Sequence, residues 1–163
     1  EFWFHYKSKY EHAFPWLVGK IELDEEAICA KITSEVDDFT GDKTYRTPYG
    51  KDAQLMKIIK GESVTTYLIL DAKGPTLNVG EKGVIILMED GSKLEYPGEE
   101  IDSDVGQGSS WDYSTFIRMN DETLTKLSTV AIDKWRLFIY DTDFDSTDAE
   151  VFRIQIECIM SQE

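Results

Sequence analysis

Short β-patterned stretches dominate this chain and predict an all-β fold, an antiparallel sandwich or barrel of about nine short strands with one short helix. Three observations carry that expectation. Several runs alternate apolar and polar residues with a period of two; turn dipeptides such as Asp90-Gly91 and Pro97-Gly98 punctuate them; and one segment, following Asn120, opens with a helix start signal. An α+β arrangement is the alternative.

Taken in order, Ile28, Ala30 and Ile32 alternate with Cys29 and Lys31 as a strand would, and the acidic turn Asp37-Asp38-Phe39-Thr40-Gly41-Asp42 leads into a second alternating stretch, Lys43 to Thr47, stopped by Pro48. Leu55 to Lys60 fits strand or helix. Val64 to Leu70 is rich in β-branched and aromatic residues and reads as a strand. Gly83 to Glu89 and Ser92 to Tyr96 flank Asp90-Gly91 and predict a hairpin with a two-residue turn of positive φ, ended by Pro97-Gly98. Glu99 to Ser110 has no period and mixes acids with glycine and serine, so it reads as a long surface loop without the spacing or lysine of a phosphate loop. Tyr113 to Met119 alternates as a strand. Asn120 then caps a helix with Asp121 and Glu122 in its first turn and Leu124 and Leu127 on its inner face. Trp135 to Tyr140 reads as a central strand, and Phe152, Ile154, Ile156, Cys158 and Met160 alternate strictly and read as a last one. Leu68, Ile86, Leu137, Ile139 and Ile154 are the expected core.

The 163 residues suit a single β-rich domain over 19–163, preceded by a compositionally distinct segment, 1–18. That segment holds seven aromatics within sixteen residues, and its periodicity fits strand and helix equally, so it is expected to cover the domain or to form an interface. The opening Glu1-Phe2 lacks a charged-then-apolar leader and reads as a mature or trimmed start. The longest apolar run, Val84 to Met88, is far shorter than the roughly 20 residues of a membrane helix. Charge excludes more. With 32 acidic against 17 basic residues and no dense basic cluster, direct binding to nucleic acid or an anionic membrane is not expected. Cys29 and Cys158 belong to no zinc pattern; two half-buried thiols are the ordinary reading, and one long-range disulfide in an oxidising compartment is the alternative.

The Asp37 to Asp42 turn, the Gly83 to Tyr96 hairpin and the capped helix before the Arg136-Leu137-Phe138-Ile139 strand together resemble a group of small uncharacterised bacterial proteins, many of them exported. The resemblance spans roughly residues 30 to 143. It implies one β-rich domain and an extracytoplasmic address, and it carries no catalytic residue. The aromatic N-terminal segment departs from that pattern.

Local chemistry stands out once. Asp141, Asp143, Asp145, Asp148 and Glu150 place five carboxylates in ten residues, and the four aspartates are the candidate ligands of a hard cation, calcium before others, with Glu150 as a further one. The spacing differs from the helix-loop-helix calcium loop, with Ser146 where glycine stands sixth and Phe152 where glutamate stands twelfth. A solvated hairpin tip is the competing account. No catalytic constellation is visible: the two histidines, His5 and His12, lie in the aromatic segment, and no GxSxG elbow accompanies them. The leading expectation is therefore a non-catalytic β-domain that binds a protein or glycan, through exposed aromatics such as Trp3, Tyr6, Tyr10 and Trp111. An acidic inhibitor that mimics nucleic acid, drawing on Asp24 to Glu26, Glu35 to Asp42 and Glu99 to Asp104, is one alternative. A paired-carboxylate hydrolase is the other.

Overall fold

A computed structural model describes residues 22–163, and among these the chain forms ten strands and three helices. The strands build two antiparallel sheets with no closed barrel. In chain order the elements are α1 (Glu25–Cys29), β1 (Thr33–Val36), β2 (Lys43–Arg46), β3 (Ala53–Lys60), β4 (Ser63–Gly74), β5 (Lys82–Met88) and β6 (Lys93–Glu100). β7 (Asp102–Val105), β8 (Trp111–Met119), α2 (Asp121–Thr129), β9 (Ile132–Leu137), β10 (Tyr140–Asp143) and α3 (Ser146–Met160) complete the chain. Strand order is β1-β2-β3-β4-β8-β7 in the larger sheet and β10-β9-β5-β6 in the smaller. The expectations for residues 1–18, including Trp3, Tyr6 and Tyr10, lie outside the described residues.

The two sheets face each other because each presents one apolar side. Leu55, Leu68, Leu70, Tyr113 and Ile117 line the larger sheet, and Val84, Ile86, Trp135 and Leu137 the smaller, all at 1 % exposure or less. Together with residues from α2 and α3 they form one continuous core. The expected hairpin of β5 and β6 is present, but its turn is longer than Asp-Gly suggests. Glu89, Asp90 and Gly91 form a three-residue loop in which only Gly91 has positive φ, 85°, the arrangement in which a type I turn is followed by one left-handed residue. Gly91 N donates to Met88 O and Met88 N to Ser92 O. Pro97 does not end β6: the strand runs on to Glu100, because it lies at a sheet edge opposite the register shift between Lys82 and Val84, where a missing N–H breaks no ladder.

Four further expectations need correction. Ile28, Ala30 and Ile32 do not form a strand; Asp24 caps α1 by accepting from Ala27 N at 3.1 Å, and only Ile28 of that helix is buried. Part of the segment read as a surface loop, 99–110, pairs with β8 as the short edge strand β7, which escapes recognition because neither of its faces is buried. The Trp135 to Tyr140 stretch is not one strand. The chain reverses at Phe138-Ile139, joining Leu137 to Tyr140 across a two-residue turn with Phe138 at φ 57°, and Ile139 is left 60 % exposed rather than in the core. The last stretch is the 15-residue helix α3 and not a strand, which raises the helix number from one to three. Its strict alternation misleads because α3 is covered on most sides: Ala149, Phe152, Ile156 and Ile159 join the main core at helical spacing, whereas Ile154 is buried apart from that cluster. Asn120 caps α2 as expected, accepting from Thr123 N at 2.8 Å.

Cys29 and Cys158 are joined as a disulfide with Cα atoms 5.7 Å apart, tying α1 to α3 across 129 residues of sequence. Closing a loop that long removes much of the unfolded chain's freedom. The double variant Cys29→Ser, Cys158→Ser should lose roughly 2–5 kcal/mol in urea unfolding, and reduction of the wild type should lower its midpoint in the same direction. Gly91→Val, which forces a β-branched residue into positive φ, should cost about 1–3 kcal/mol by the same measurement; a smaller effect would mean that the turn can relax.

Candidate functional site

Register places a defined set of side chains on the outer face of the larger sheet. Because Leu68, Leu70 and Ala72 of β4 point into the core, Tyr67, Ile69, Asp71 and Lys73 point away from it. Their partners on neighbouring strands share that face and form rows across the sheet. One row holds Arg46, Met56, Tyr67 and Arg118; the next holds Gln54, Ile69 and Phe116. The rows beyond hold Asp71, Ser114 and Asp102, then Lys73, Asp112 and Asp104. Along the strands the face passes from apolar residues flanked by guanidinium groups, of which Arg46 is paired with Glu35, through Ile69 and Phe116 to carboxylates beside Lys73. Phe116 is 50 % exposed at the β8 end of its row, while Ile69 beside it is only 8 % exposed.

The acidic end is organised around Asp71. Tyr49, exposed on the connection between β2 and β3, donates its hydroxyl to Asp71 Oδ2 at 3.1 Å. Lys51 and Asp52, on the same connection, have φ of 60° and 63°, a costly backbone for residues with a Cβ, and Asp52 O accepts from Asp71 N at 2.9 Å. Burial pushes the Asp71 carboxyl above the ordinary aspartate range; the Tyr49 hydrogen bond opposes that shift, and the charges of Asp52 and Asp112 add to it. The Asp71 charge in turn pushes the Tyr49 phenol up. Asp112 Oδ1 is enclosed without a hydrogen-bond partner, packed against Gly106, where an added Cβ would come within 2.9 Å of it. Such a cluster accepts hydrogen bonds, disfavours anions and holds a proton at Asp71 more firmly than water would allow.

The residues singled out by sequence are dispersed rather than gathered. Asp141 forms a forked pair with Arg136, at 2.5 and 2.9 Å, and the Arg136 guanidinium holds its carboxyl below the usual range. Asp143 stands across from Lys134 in the β9–β10 ladder. Asp145 caps α3, accepting from Thr147 N and Asp148 N; Asp148 pairs with Lys51 at 3.3 Å; and Glu150 pairs with Arg153 at 2.6 Å. Among the described residues, no three His, Cys, Asp or Glu side chains are placed to hold a metal ion. Trp111 is half-buried against the core. The acid-rich segments fall on separate elements, α1, β1 with its turn, and β6 with β7.

Tyr49, Met56, Tyr67, Asp71 and Phe116 were missed by the sequence reading. The available signal was β4 itself, where Tyr67 and Ile69 alternate with the core residues Leu68 and Leu70, making both faces apolar in a sheet of which the described residues cover one face. Compared with family models, curated proteins and solved structures, the chain matches none.

The raised Asp71 pKa gives a signed pH prediction. A carboxyl whose folded pKa exceeds its unfolded value favours the native state fully only below the unfolded pKa, near 3.9, and that contribution is lost as pH rises through the folded value. Asp71→Asn should therefore be indistinguishable from wild type in stability at pH 3.5 and progressively more stable than it as pH rises towards 7, as followed by urea midpoints across that range.

Proposed function

We propose that this protein is a non-catalytic binding domain that grips a protein partner through the outer face of its larger sheet. The observation that carries this reading is the ordered arrangement of that face, with Met56 and Tyr67 flanked in their row by Arg46 and Arg118, Ile69 and Phe116 in the next row, and Asp71, Asp102 and Asp112 in the rows beyond. Aromatic residues, methionine and arginine are the types enriched where proteins meet, and an apolar centre ringed by polar groups is the usual anatomy of an interface. Arginines flanking the band at one end and carboxylates beyond its other end would orient a partner carrying the complementary pattern. The Cys29–Cys158 bond supports an extracytoplasmic setting, since structural disulfides persist chiefly in oxidising compartments.

Phe116 is the test residue, because it is half exposed and its replacement disturbs little packing. A partner recovered by chemical cross-linking from extracytoplasmic extract should bind wild type in 0.5 M sodium chloride. Phe116→Ser should weaken that binding by about 2 kcal/mol, roughly 30-fold, with an unchanged melting temperature. Binding that survives Phe116→Ser but collapses in salt would replace this reading with the acidic mimic of nucleic acid, and a glycan lost on the same substitution would replace the partner class.

A further inference from the structure

A pocket of about 460 Å³ opens between α1, the β2–β3 connection and the start of α3, a size common to small-molecule sites. Ala27 and Ile28 form one wall, Tyr49 a second, and Phe144 and Phe152 the floor beside Gln155. The glutamine is the informative member. It is 7 % exposed, its amide makes no hydrogen bond with any described residue, and because its polar atoms are not sealed in, two donors and an acceptor face the open space of the pocket. The charges at the mouth are largely spent on the protein itself. Asp24 caps α1 and Asp148 is paired with Lys51, while Glu22 and Lys31 are opposite in sign, so the mouth keeps a single negative charge, already hydrogen-bonded to the α1 backbone. The wall and the floor are held together by the disulfide from α1 to α3, so the cavity is pre-formed and costs little to order.

We propose that this pocket binds a small neutral molecule with an apolar, ring-sized body and a single hydrogen-bonding group that engages the Gln155 amide. The body packs among Tyr49, Phe144 and Phe152, and its N–H or carbonyl group meets the glutamine. Anionic ligands are disfavoured, because the lining holds one more carboxylate than ammonium groups. The site shares Tyr49 with the acidic end of the outer face but none of the apolar band around Phe116, and it stands whether or not that interface exists.

The probe is N-phenyl-1-naphthylamine, neutral and carrying one N–H, titrated into the oxidised full chain and read by its fluorescence. Saturable enhancement is expected, with the anionic analogue 8-anilinonaphthalene-1-sulfonate binding at least 5-fold more weakly. Ala27→Phe, an exposed helix position at the wall, should reduce affinity at least 10-fold. Gln155→Leu, which keeps the volume and removes the amide, should reduce it about 3- to 10-fold; circular dichroism melts check that both variants remain folded. Absence of saturable binding, tighter binding of the sulfonate, or unchanged affinity in either folded variant overturns the proposal. A full chain that binds only after Trp16→Ala and Leu17→Ala also overturns it, assigning the pocket to the chain's own N-terminal residues.

Discussion

The indole N–H of Trp135 cannot remain unpaired in an apolar core, and its one partner is the main-chain carbonyl of Asp71, 2.9 Å away on the opposite sheet. Thr142 donates to the same oxygen at 3.3 Å. One carbonyl near the end of β4 therefore anchors two strands of the smaller sheet, β9 and β10, and fixes how the sheets lie over each other. The same residue donates its N–H to Asp52 and sends its carboxylate outward to Tyr49. Asp71 thus connects the packing of the interior to the chemistry of the outer face. Around it, the stacked rings of Tyr113 and Tyr140, with centroids 4.7 Å apart, hold the loop after β4 through hydrogen bonds to Thr76 and Asn78. Gly74 is required there, since a Cβ would fall within 2.5 Å of the Tyr140 ring.

The helix α3 depends on a second buried polar group. Lys57 projects from β3 towards the core side, is 8 % exposed, and donates to the carbonyls of Ile159, Met160 and Gln162 at the end of α3. Those are the orphan carbonyls of a helix C-terminus, and an ammonium group is the natural complement to them. Burial holds the Lys57 ammonium below the ordinary lysine range, a cost accepted because three acceptors converge on it. The disulfide fastens α3 to α1 from another point, so the helix is pinned at positions that local periodicity does not reveal.

Much of the β framework was legible because local rules and the fold agree. Val64 to Leu70, Tyr113 to Met119 and the capped helix after Asn120 sit where alternation and capping place them. The failures share a cause: tertiary burial overrode the local period. Alternation over Phe152 to Met160 satisfied a helix covered on most sides, and the apolar run Trp135 to Tyr140 concealed a turn at Phe138 that contains neither glycine nor asparagine. The candidate site was harder still. It exists only through register, which sets Phe116 beside Ile69 and Ser114 beside Asp71 across strands more than 40 residues apart, and through Tyr49, which belongs to no element. The conspicuous acids from Asp141 to Glu150 drew attention by density, but they divide among β10, the cap of α3 and α3 itself, each with its own role in a ladder, cap or ion pair.

That division of labour explains how a chain with net charge -15 folds at all. Asp24, Asp37 and Asp145 spend their carboxylates on backbone N–H groups at helix starts and a turn, and Asp90 on Lys126 and Ser92. Some of the others lie on strands with a free side. All four edge strands carry acids: Glu35 on β1, Asp102 and Asp104 on β7, Asp141 and Asp143 on β10, and Glu95, Glu99 and Glu100 on β6. An edge exposes unpaired N–H and C=O groups that a second copy could extend, and like charges facing each other across such a contact oppose it. The outer face of the larger sheet lies away from these edges in its central strands, and there the acids give way to Met56, Tyr67 and Phe116. Among the described residues, the charge therefore opposes pairing at the sheet margins and leaves an apolar band on the outer face of the larger sheet.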